Sequence, residues 1–137
     1  MSRITYTEEE AFAGQVALWQ ANCARSLRGK KGQAELFALR EALLALPVKR
    51  LLRDELYNDA GEVCAIGAYG KYKGVDIFKY DPEDTCHDDI GVEGGMPRLV
   101  AWKVVEMNDE EFDRVSPEQR YEKMLSWVES LLAKGSK

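Results

Sequence analysis

Leu36, Leu39, Leu43 and Leu46 recur at i, i+3, i+7 and i+10, with Phe37 and Leu44 widening the same apolar stripe. Only an α-helix gathers that spacing onto one side, so this stretch must bury a face against other elements. Pro47 closes it, because the residue before a proline is pushed out of the helical region. Other stretches carry the same kind of punctuation. Thr7 and Glu10 make a T-x-x-E capping box, followed by Phe12, Val16, Trp19 and Cys23 along one stripe, which predicts a first helix over 8–25. Ser116, Pro117 and Gln119 open a last helix whose inner face is Tyr121, Leu125, Val128 and Leu132, with Met124, Trp127 and Leu131 beside it, ending at Gly135.

Between these lie weaker signals. Asn58-Asp59-Ala60-Gly61 is a turn, because Asn and Asp side chains mimic turn hydrogen bonds and Gly accepts positive φ. It sits between Leu51–Tyr57 and Glu62–Cys64, which predicts a small hairpin. Cys64-Ala-Ile-Gly-Ala-Tyr-Gly-Lys-Tyr72 reads as a helix so rich in small residues that another backbone can approach it closely, with Gly74 beyond its end. Residues 75–97 read as an acidic loop. Pro97 then suits the start of a helix carrying Leu99, Trp102 and Val105 and stopping near Asn108-Asp109. The expected fold is mainly α: a compact bundle of about five helices in one domain, 1–137, allowing one small β-hairpin near residues 51–64.

Size and composition fit that expectation. A chain of 137 residues with 45% hydrophobic and 31% charged residues is an ordinary globular domain. Its longest charge-free stretch, Ala11–Ala24, holds Gln15, Gln20 and Asn22 and is too short to cross a bilayer, and no signal-peptide pattern opens the chain. These features predict a soluble, cytoplasmic protein with no membrane partner. The net charge of −5 argues against general nucleic-acid coating. That average hides an asymmetry, since residues 1–53 carry nine basic and five acidic side chains and the remainder ten and nineteen.

Four patterns merit a chemical reading. Arg25, Arg28, Lys30 and Lys31 lie in a predicted basic loop over 25–32, just ahead of the second helix, where free N–H groups and the helix dipole favour an anion and Gly29 and Gly32 let backbone approach it. They are the candidate anion or nucleic-acid site, although no G-x-x-x-x-G-K-[ST] motif is present. Glu106, Asp109, Glu110 and Asp113 cluster around Phe112 as an acidic knob suited to docking on a basic partner protein. Cys64 follows a turn and opens a helix, where a thiolate is stabilised, but His87, the only histidine, lies in a different segment. Cys23, Cys64, Cys86 and His87 lack the paired spacing of a zinc site, and a calcium loop starting at Asp81 would have Cys86 and Val92 where it needs Gly and Glu. No catalytic residue, cofactor or metal site is therefore assigned, and the small size and the lack of a catalytic constellation predict a non-enzyme.

The strings R-S-L-R-G-K-K-G-Q-A-E-L (25–36), L-P-V-K-R-L (46–51), G-E-V-C-A-I-G-A (61–68), V-V-E-M-N-D-E (104–110) and S-P-E-Q-R-Y-E-K-M-L-S-W-V-E (116–129) resemble a family of small uncharacterised proteins encoded by phages and prophages. The resemblance spans residues 25–130 and implies a genomic setting rather than a chemistry. The leading expectation is a phage-type interaction factor that binds a host or phage protein, with inhibition of a host defence system such as CRISPR as its specific form. A nucleic-acid or nucleotide-binding module using the 25–32 segment is the alternative, and a thiol enzyme at Cys64 the second alternative. The oligomeric state stays open between monomer and homodimer.

Overall fold

In a computed structural model, the chain is described over residues 8–83, 87–111 and 114–135. Among these residues six α-helices follow in order: α1 Glu8–Arg28, α2 Lys30–Leu44, α3 Ala65–Tyr72, α4 Asp88–Glu93, α5 Arg98–Glu106 and α6 Pro117–Gly135. A short 3-10 turn, Ile77–Lys79, precedes α4, and a π-helical turn, Met107–Glu111, extends α5. The mainly helical bundle expected from the sequence is what the chain forms. The hairpin contracts to a single antiparallel bridge, Tyr57 to Val63, around the Asn58–Gly61 turn. The capping box at Thr7 and Glu10 lies outside the described side chains.

The centre of the bundle is α3. Residues 63–70 are all buried, and α3 packs against α2, α4 and α5. The small residues do the work foreseen for them, inside the protomer. A Cβ on Gly67 would stand 2.9 Å from the Leu56 carbonyl oxygen, and one on Gly70 would stand 2.6 Å from the Ile90 side chain. Around this hub Leu36, Leu39 and Leu43 of α2 are fully buried, each contributing about 1.5–3 kcal/mol of apolar burial. Met124, Val128 and Tyr121 of α6 close the other side. Phe37 and Leu44, expected on the α2 core face, point to solvent, because α1, α3 and α6, which pack against α2, leave that part of it uncovered.

Two joints differ from expectation. The predicted basic loop over 25–32 does not exist. Helix α1 runs three residues further, to Arg28, and α2 starts at Lys30, so Gly29 alone separates them. The bend is sharp enough that a Cβ on Gly32 would fall 1.9 Å from the Ser26 carbonyl oxygen. Gln33 secures it, donating through Nε2 to the Leu27 carbonyl at 2.7 Å. The second difference is a rotation of α5. Val100, Ala101 and Val104 face the core, while Leu99, Trp102 and Val105 are only half-buried. Helix ends elsewhere follow their sequence signals. The Ser116–Gln119 capping box is formed reciprocally at 3.1 Å each way, and Lys49 and the Tyr121 hydroxyl donate to the last carbonyls of α2.

One polar cluster is built into the core. Glu35 of α2 is buried and accepts the Tyr69 hydroxyl and the Lys73 ammonium at Oε1, with Lys31 3.5 Å from Oε2. Burial pushes the Glu35 carboxyl up, but these donors and cations together hold it below its ordinary value of 4.5. A carboxylate depressed by folding stabilises the native state above its unfolded pKa and loses that contribution as pH falls through the folded one. Acid titration of stability should therefore steepen below about pH 4.5, and Glu35→Gln should flatten that part of the curve in urea melts. The bend makes a separate prediction. Gly32→Ala should cost at least about 2–3 kcal/mol, whereas Gly14→Ala, where a Cβ meets open space, should raise stability by up to about 1 kcal/mol.

Candidate functional site

The π-helical turn at the end of α5 is locked by two adjacent residues. Asn108 is buried and uses its whole amide. Its Oδ1 accepts the Ala65 N–H at 3.1 Å, and its Nδ2 donates to the Leu52 carbonyl at 2.8 Å and to Asp109 Oδ1 at 2.7 Å. It thereby satisfies an N-terminal N–H of α3 from a distant helix, a group that would otherwise be orphaned in the core. Asp109 Oδ1 also accepts the Asp54 N–H at 3.0 Å, and its carbonyl accepts Arg53 Nε at 2.8 Å. The Asp54 backbone sits at φ +57°, a left-handed conformation that Asp tolerates better than most residues. The bond from Asp109 holds it there. A single π turn of this kind is a common feature of functional sites.

The clamp shapes a cleft of about 200 Å³ lined by Asp54, Asp88, Trp102, Val105, Glu106, Asp109 and Glu110. Its floor is apolar and aromatic and its walls are acidic. Part of the acid is internally compensated: Arg53 pairs with Asp54 at 3.1 Å, Arg98 with Asp88 at 2.7 Å and with Asp89 at 2.8 Å, and Lys103 with Glu106 at 2.8 Å. Glu110 is exposed and enters no ion pair among the described residues. Five carboxylates against three cations leave the cleft negative, with the excess at the Asp109–Glu110 rim.

Of the acidic knob read from the sequence, Glu106, Asp109 and Glu110 are brought together here, while Phe112 and Asp113 lie outside the described residues. Sequence reading missed Asp54, Asp88 and the floor. Trp102 and Val105 carried a signal, since their helical spacing with Leu99 marked an apolar side of α5, but nothing in the sequence tied that side to the carboxylates. Asp54 and Asp88 carried none, because only tertiary packing places them beside residues 102–110.

The second candidate site dissolves as a loop. Arg25 and Arg28 occupy the last turn of α1, where cations suit the helix dipole, and Arg25 donates to Asn22. Lys30 and Lys31 occupy the first turn of α2, where cations oppose the dipole, and Lys31 is tied to Glu35. The Ser26 carbonyl oxygen fills the approach to Gly32, so the close backbone approach to an anion expected at Gly32 is closed by an oxygen of the chain itself. The four cations remain at the surface as side chains.

Cys64 is buried and serves as N-cap of α3, its Sγ accepting the Gly67 N–H at 3.4 Å. Burial pushes the thiol up to about 12, so it supplies no thiolate at neutral pH. His87 is occupied elsewhere, its Nε2 lying 3.1 Å from the Asp81 carbonyl oxygen. Burial also raises the Cys23 thiol, despite the nearby Lys103. Cys86 lies outside the described residues, and among those described no three His, Cys, Asp or Glu side chains converge as metal ligands. No helix is long and apolar enough to cross a membrane among the described residues.

No protein-family model, curated protein or solved structure matches the chain.

The thiol geometry makes a direct prediction. Native Cys64 should resist a thiol reagent at pH 8 and become reactive only on unfolding in urea, followed by peptide mapping. Native labelling at the rate of an exposed thiol would show that the α3 N-terminus opens.

Proposed function

We propose that this chain is a non-enzymatic protein–protein interaction factor that docks on a basic surface of a partner protein through the cleft at the end of α5. The observation that carries the reading is the cleft itself, an aromatic floor of Trp102 walled by carboxylates with the excess charge at Asp109 and Glu110. The walls are preorganised: the Asn108–Asp109 clamp fixes the rim, so little ordering entropy opposes docking. Complementary charge gives such a surface fast, selective association. The phage-type setting, and a host defence effector such as CRISPR as the target, rest on the sequence resemblance alone.

A second reading, nucleic-acid or nucleotide binding through Arg25, Arg28, Lys30 and Lys31, is favoured by the exposure of all four around one bend. One experiment separates the two. The tagged protein is used to capture partners from bacterial host lysate with and without nuclease, beside Glu110→Lys and Lys30→Glu/Lys31→Glu variants. The interaction reading expects a stoichiometric protein that survives nuclease and is lost with Glu110→Lys. Capture abolished by nuclease and by the lysine reversal, with Glu110→Lys unaffected, would transfer the function to the basic bend.

A further inference from the structure

Phe12, Val16, Trp19 and Cys23 share one side of α1, spaced four, three and four residues apart. At the Cys23 end this is the core-facing side. Cys23 is buried, and Trp19 stands edge-on to Trp102 of α5 with ring centroids 5.0 Å apart. At the other end the stripe has outrun the bundle: Phe12 is 67% exposed and Val16 38%, and every residue from Ala11 to Gln20 is exposed. The ridge is continuous with the cleft. Trp19 touches Trp102, and Trp102 with Val105 floors the acid-walled space.

Charge selects what can cover such a surface. The ridge carries no charged residue between Ala11 and Ala24, while the adjoining cleft is negative. A second copy of this chain carries a net charge of −5, so its approach to a negative cleft is opposed overall. A matching occupant needs apolar side chains at helical spacing with cations along one flank. We infer that the α1 ridge and the α5 cleft form one composite groove for an amphipathic, basic helix of a partner protein. Its apolar side lies along Phe12, Val16 and Trp19, and its Lys or Arg flank reaches Asp109 and Glu110. This inference rests on the docking role of the cleft and names the class of partner.

The probe is a fluorescent peptide of about 18 residues, five helical turns, built only of leucine and lysine with the leucines at i, i+3, i+4 and i+7. Binding is read by anisotropy at about 0.15 M salt, where long-range attraction is screened. The wild type is expected to bind it. Phe12→Asp/Val16→Asp and Glu110→Lys should each weaken binding at least about tenfold, as should scrambling the leucine order, while Phe12→Leu retains it. Because Phe12 is exposed, circular dichroism and melting of the double Asp variant should match the wild type. Unchanged binding by that variant overturns the composite groove. If Glu110→Lys still weakens binding, the cleft reading survives; if it too binds like wild type, both fall. A scrambled peptide bound as tightly as the ordered one overturns the helical partner, and a wild-type dimer in sedimentation that the double variant abolishes assigns the ridge to a second copy instead.

Discussion

The structure depends on how closely other elements approach α3. Helix α3 buries Ile66 and Tyr69 but carries almost no side-chain volume at Ala65, Gly67, Ala68 and Gly70, so Leu56, Ile77 and Ile90 reach its backbone there. Dispersion and apolar burial are gained over many atom pairs at once, and the two glycines that weaken the isolated helix become the reason it fits. Helices α2, α4 and α5 are placed by that contact. Any added methyl group there meets backbone or branched side chains that are already in contact.

Close packing leaves little room for water, so the polar groups it buries must be answered from within. Asn108 answers for α3's first N–H and for the Leu52 carbonyl, Glu35 for the Tyr69 hydroxyl, and Arg120 for the Leu51 and Val115 carbonyls. All but the Arg120–Val115 bond join residues far apart in the chain. The Asn108 link does more than satisfy the core. By pinning the π turn against residues 52–54 it brings Asp54 and Asp109 side by side and fixes the mouth of the acidic cleft. The most structural residue of the region thus also sets the shape of its surface.

The elements with strong local signals were legible in the sequence. Helix α6 begins at its capping box and α2 stops just ahead of Pro47, and α3 runs over the small-residue segment foreseen for it, because caps, prolines and periodicity act over a few residues. The bend at Gly29 was misread because glycines and lysines signal a loop locally, whereas Gly32 is there so that one helix can press on the next. Helix α4 was hidden inside an acidic stretch because six residues give too little periodicity to see. Of the candidate site, the carboxylates of one segment were visible, while Trp102 showed only as part of an apolar side of its helix. Spacing shows that an apolar side exists, not whether anything covers it.

What the sequence determined by itself is therefore the local part: helical periodicity, most helix ends, the turn at 58–61 and the chemistry of the Glu106–Glu110 segment. The tertiary structure decided which apolar sides are spent on the core. It turned Val100, Ala101 and Val104 inward, left Trp102 and Val105 half-buried and Phe12 and Val16 exposed, and set Asp54 and Asp88 beside Asp109. The physical reason is that burial and proximity are properties of pairs of elements. Periodicity fixes a residue's direction on its own helix, and only packing against the others decides whether that direction meets protein or solvent.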